Sequence, residues 1–192
     1  MIWNNQNLID ALKAGKIIVM PTDTIYGVVC SAFKEESVQK IYELRKRAPD
    51  KPCIILIGDI AEFEKFGIKL SKEQKTKLKE CWPASSSLDG PGPVSVILDC
   101  LDEKFSCLHR GTRSLAFRIP NDSDLRNMLI HAGPLLAPSA NTEGAEPAKN
   151  ISEAKKYFSD GVDLYVDGGE IVGAPSKVIK LHKDGTTSIL RE

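Results

Sequence analysis

The chain has 192 residues, 42% of them hydrophobic, enough to bury most of its unfolded surface in one core, so a single globular domain spanning 1–192 is expected. Lysine plus arginine and aspartate plus glutamate number 26 each, a balance that gives no field for tight, sequence-independent nucleic-acid binding and leaves any RNA contact to a local patch. No apolar run approaches a membrane span and the start lacks a secretory leader, while five cysteines (Cys30, Cys53, Cys81, Cys100, Cys107) without C-x-x-C spacing suit reduced thiols in a cytosol better than a disulfide framework or zinc site.

In chain order, Leu8, Ile9 and Leu12 predict a helix that Gly15 ends, and "KIIVM" predicts a buried strand. The strand runs into "PTDTIYGVVCSA" (21–32), rich in small hydroxyls and read as turning at its glycine. Val38, Ile41, Tyr42 and Arg45 fall at helical spacing, with Arg45 on the edge of the buried stripe, and Pro49 ends that helix near Arg47. "CIILI" predicts a strand, followed by short amphipathic helices in "DIAEFEKF" and "SKEQKTKLKECW". "PASSSLDGPGP" (83–93) reads as a loop. Strands are predicted at "VSVIL", "SLAFRI", "PLLA", "DLYV", "KVIKL" and "TSILR", with helices at 122–132 and 151–158. About eight strands among five or six helices imply an α/β (α+β mixed) domain, a twisted mixed sheet with flanking helices; strand order cannot be read from pattern.

The sequence contains no G-x-S-x-G elbow, phosphate-binding P-loop, dinucleotide fingerprint or H-E-x-x-H motif, and His109, His131 and His182 share no ligand spacing, which makes them surface or capping residues. Polar clusters instead flank the predicted strands: Thr22, Asp23 and Thr24; "RKRAPDKP" with Arg45, Lys46, Arg47 and Lys51; "PSAN" at 138–141; and Ser176 in "GGEIVGAPSKV". In open α/β sheets ligands favour the strand ends, and four cations within seven residues suit a polyphosphate. Taken singly, "PTDT" is equally a hydroxyl-capped turn, "RKRAPDK" a solvated helix terminus and "PSAN" a turn or N-cap.

Together and in order, "PTDTIYGVVCSA", "IYELRKRAPDKP", "GPGPVSVIL", "SLAFRIP", "APSANTEGAEPA" and "VDGGEIVGAPSKVIKL" resemble the YrdC family of threonylcarbamoyl-AMP synthases, from about Leu8 to Arg191. The resemblance implies a sheet with a central groove that makes threonylcarbamoyl-adenylate and pyrophosphate from L-threonine, bicarbonate and ATP with a magnesium ion; a separate transferase then modifies tRNA. It implies that Thr24 and Arg118 hold threonine with Ser176 nearby. It implies that Arg45, Arg47 and Lys51 face the triphosphate or its magnesium, and that Ser95, Ser139 and Asn141 line the nucleotide site. No general base and no protein metal ligand is assigned; Asp23 is available as a base or as a turn cap. Arg45 stands where the family commonly has lysine, Lys177 where threonine follows the serine, and a serine-rich segment separates Trp82 from Pro91-Gly92. No second domain follows, so the chain resembles the family's short form, expected in the cytoplasm with weak or indirect tRNA contact and no membrane association. The competing readings are a nucleotide- or RNA-binding module of the same fold without synthase activity, and an enzyme of that fold handling another carbamoyl-adenylate.

Overall fold

The computed structural model describes residues 2–82 and 92–192, so most of the predicted 83–93 loop lies outside the described residues. Helix α1 (Gln6–Lys13) starts where the Asn5 side chain accepts the Leu8 N–H, a cap worth about 1 kcal/mol in typical helices. It buries Leu8, Ile9 and Leu12. Strands β1 (Ile18–Met20) and β2 (Gly27–Ser31) follow as an antiparallel hairpin that pairs Met20 with Gly27. The sequence reading of a turn at this glycine is therefore corrected: the chain reverses between Thr22 and Ile25, where the Thr22 hydroxyl donates to the Ile25 carbonyl at 2.7 Å, and Gly27 opens a fully buried strand.

Helix α2 (Glu35–Arg45) buries Val38, Ile41, Tyr42 and Arg45. It ends two residues earlier than the proline suggests, because Lys46 takes a left-handed conformation (φ 51°) and the Arg47 N–H turns back to the Tyr42 carbonyl. Strand β3 (Ile54–Leu56) leads into a 3-10 helix at Ile60–Phe66, in the segment predicted as a short amphipathic helix. Next come α3 (Lys72–Cys81), opened by a Ser71–Gln74 capping box, and β4 (Val94–Asp99). The chain continues through α4 (Ser106–His109), β5 (Ser114–Arg118), α5 (Ser123–Ala132), β6 (Leu135–Leu136) and α6 (Ile151–Phe158). It closes with β7 (Leu164–Tyr165), β8 (Lys177–Leu181) and β9 (Thr187–Arg191).

The nine strands form one mixed sheet in the order β7-β1-β2-β6-β3-β5-β4-β8-β9, parallel only at β1/β7, β3/β5 and β4/β8. Side-chain alternation divides the core. Ile18, Met20, Val29 and Leu56 pack with α1 and α5 on one face, while Val19, Val28, Ile55 and Phe117 pack with α2, α6 and the 3-10 helix on the other. Helices α1 and α5 cover only part of their face. Farther along it, Ala116 and Arg118 of β5, Ile97 of β4 and Val178 of β8 line open cavities instead, and this concave stretch is the groove. Among the described residues no helix is long and apolar enough to cross a membrane. All five cysteines are free thiols, three of them buried, and burial pushes the Cys30 thiol far up.

Candidate functional site

Two adjoining cavities occupy the groove, one of about 100 Å³ and one of about 430 Å³, sharing Ile54, Pro138, Ser139 and Arg191. The β1–β2 turn, β5 and the approach to β8 build the smaller one, which Thr22, Thr24, Arg118 and Ser176 line. Arg118 donates from Nη1 to Thr24 Oγ1 at 3.0 Å and from Nη2 to Thr22 Oγ1 at 3.4 Å, and Nη2 also meets Asp23 Oδ1 at 3.0 Å. The Asp23 carboxylate is held in turn by the Asn121 N–H. Burial is the largest influence on the Arg118 guanidinium and lowers its pKa, Asp23 raises it and Arg191 lowers it again. Arg118 Nε is buried without a hydrogen-bond partner.

Ser176 is buried, its hydroxyl 2.7 Å from that of Ser95 and its carbonyl accepting Nε and Nη2 of Arg191 at 3.1 and 2.6 Å. The β8–β9 register shifts between Val178 and Ile179, which pair with Arg191 and Ile189. Leu190 is thus the extra residue of a bulge, a feature that re-aims neighbouring side chains, and both Leu190 and Arg191 line the larger cavity.

The larger cavity is lined by polar Arg45, Arg47, Thr112, Ser114 and Ser139 together with apolar Ile97, Ala116, Val178 and Leu190. Arg45 is buried at the end of α2. It donates Nε to the Asn141 carbonyl at 2.9 Å and Nη2 to Ser139 Oγ at 3.2 Å and Asn141 Oδ1 at 3.3 Å, while Nη1 is buried without a partner. Desolvation lowers its pKa. "PSAN" is pinned beside β2, since Val28 N–H donates to the Pro138 carbonyl and Ala140 N–H to that of Tyr26.

The groove therefore gathers Thr24, Arg118, Ser176, Arg45, Arg47 and Ser139 of the residues expected from sequence. Three do not line it. Ser95 backs Ser176, and Asn141 backs Arg45 with its amide nitrogen spent on the Thr142 and Ala145 carbonyls. Lys51 sits outside both linings, its ammonium on Glu143 at 2.7 Å. Sequence reading missed Arg191, Thr112 and Ser114; the only signal for Arg191 is a cation ending an apolar strand. His109, expected at the surface or in a cap, is buried, its Nδ1 accepting the Gly111 N–H.

With this geometry in hand, the chain matches the family model Sua5_yciO_yrdC, described as "Telomere recombination", over residues 10–192, and it belongs to that family. It is similar to the threonylcarbamoyl-AMP synthase of Hahella chejuensis, 27% identical and covering 99% of this chain and 98% of that protein. It also resembles the crystal structure of Pyrococcus abyssi Sua5 complexed with L-threonine, with a TM-score of 0.81 at 26% identity, covering all of this chain and 54% of that one. Escherichia coli YciO shares the fold, with a TM-score of 0.79 at 23% identity over 97% of this chain and 87% of that one. The chain spans about half the length of the Pyrococcus abyssi and Bacillus subtilis threonylcarbamoyl-AMP synthases it matches.

Proposed function

We propose that the protein is an L-threonylcarbamoyl-adenylate synthase. L-Threonine and bicarbonate give a carbamate and water; a carbamate oxygen then attacks the α-phosphorus of ATP, the bond to the β-phosphate bridge oxygen breaks, and pyrophosphate leaves. Every reactant is anionic or carries a carboxylate. The protein's task is to hold them together against their repulsion, which needs fixed cations rather than a protein nucleophile.

The observation that carries the reading is the juxtaposition of a small cavity built on the Arg118–Thr24 hydrogen bond with a larger one walled by Arg45, Arg47 and Arg191. Arg118 takes the threonine carboxylate; Thr24 and Ser176 contact the remainder of the amino acid. Arg45, Arg47 and Ser139 meet the phosphates; Lys51 joins them by leaving Glu143. Ser95 and Asn141 act through the partners they hold. The apolar wall takes the nucleoside. Arg191 lines both cavities and stands where carbamate and α-phosphate meet.

Magnesium enters with the triphosphate as MgATP. Phosphate oxygens are its natural ligands. The product would pass to a transferase acting on tRNA in the cytoplasm, where free thiols are stable, and tRNA contact by this chain is weak or indirect.

Pyrophosphate release from MgATP in bicarbonate buffer, with and without L-threonine, tests the reading. Release that requires threonine is expected. Nucleotide binding without release would favour a binding module of the same fold.

A further inference from the structure

The cationic loop after α2 and the "PSAN" loop after β6 wall the same cavity, and one side chain ties them together. Glu143 sits just beyond "PSAN". Its N–H donates to the Arg45 carbonyl at 2.8 Å, its Oε2 accepts the Ala48 N–H at 2.6 Å, and its Oε1 meets Lys51 Nζ at 2.7 Å. The loop so held carries Arg45, Lys46, Arg47 and Lys51 against one acid of its own, Asp50. Left alone, such a run of like charge spreads. Inside it, Arg47 donates Nε to the Lys51 carbonyl and Nη2 to the Pro52 carbonyl, both at 3.0 Å, so the loop's backbone sets where this cavity-lining guanidinium stands.

We propose that Glu143 is a positioning residue for nucleotide binding: its carboxylate fastens the 46–51 loop to the "PSAN" loop and so fixes Arg47 in the lining of the larger cavity. The inference rests on the reading of that cavity as the MgATP site.

The two side-chain contacts differ in weight. The Lys51 pair is exposed, with side chains 58% and 28% accessible, and such pairs contribute little. The Ala48 bond is short, charge-assisted and directed at the backbone, so it carries the fastening. Glu143→Gln keeps an acceptor for Ala48 and loses only the ion pair, whereas Glu143→Ala loses both.

Titration calorimetry of the full chain with MgATP, and separately with L-threonine, tests this, with hydrogen exchange at the Ala48 amide as a second measure. Glu143→Ala is expected to weaken MgATP binding by about tenfold or more and to speed Ala48 exchange, leaving threonine binding unchanged. Glu143→Gln is expected to stay within about threefold of the parent for MgATP. Parent-like MgATP affinity in Glu143→Ala would overturn the assignment, as would equal damage in both variants. A parent protein that itself fails to bind MgATP would instead strike at the functional reading.

Discussion

Asp23 Oδ1 lies 3.0 Å from Arg118 Nη2 in an ion pair whose side chains are 6% and 7% exposed, linking a turn between β1 and β2 to the end of β5, where Arg118 lines the smaller cavity. The pair is costly to bury and costlier to break, because a buried guanidinium would be left without its counter-charge. Asp23→Asn keeps an acceptor for the Asn121 N–H but leaves Arg118 without its counter-charge. It is expected to lower unfolding free energy by about 3 kcal/mol, read from a denaturant midpoint, and to weaken threonine binding more than MgATP binding.

Gly173 approaches Thr24 so closely that a Cβ placed on it would lie 1.9 Å from the Thr24 carbonyl oxygen. Both sides of that contact are backbone, so Gly173→Ala must push the 171–175 segment away from the β1–β2 turn. Threonine affinity is expected to fall by about tenfold or more while MgATP affinity, set in the larger cavity, holds. Titration with each ligand separates the two.

The Ser95 and Ser176 hydroxyls, 2.7 Å apart and buried, satisfy each other. Ser176→Ala leaves Ser95 Oγ without that partner and is expected to cost about 1–3 kcal/mol of stability. Ser95→Ala/Ser176→Ala together should cost less than the two single changes summed, since the double variant strands no hydroxyl. Arg191 should keep its place in all three, because it binds the Ser176 carbonyl rather than the side chain.

The Glu143 carboxyl is held below the usual carboxylate range, chiefly by Lys51 and then by the Ala48 N–H. A depressed folded-state pKa means that its stabilising effect is fully present above the unfolded-state pKa and fades as pH falls through the folded one. The parent should therefore exceed Glu143→Gln in melting temperature at neutral pH, and the gap should close only as acid passes below the ordinary carboxylate range. A gap that widened on acidification would contradict the sign.

Much of this was legible in the sequence, residue by residue. Periodicity and apolar runs marked α1, α2 and eight of the strands, including β9, whose residues are all exposed. They missed β2, since a glycine after a hydroxyl-rich turn reads as part of the turn, and only the pairing of Met20 with Gly27 shows that it begins a strand. Thr24, Arg118 and Ser176 converge as expected, but the Asp23–Arg118 pair joins residues far apart in sequence, and no local pattern encodes it. Lys51 looked like a free cation for the same reason: its partner stands 92 positions away, in a loop where one glutamate carries no signal. Arg191 emerged only once the bulge aimed a strand's last cation back into the groove.

The central claim is that the groove joins threonine, bicarbonate and the adenylyl group in one molecule, and mass analysis of the nucleotide product formed from isotopically labelled threonine and labelled bicarbonate tests it most directly. The account predicts an adenylate carrying both labels, formed together with pyrophosphate. Unlabelled AMP or ADP as the only nucleotide product would contradict it.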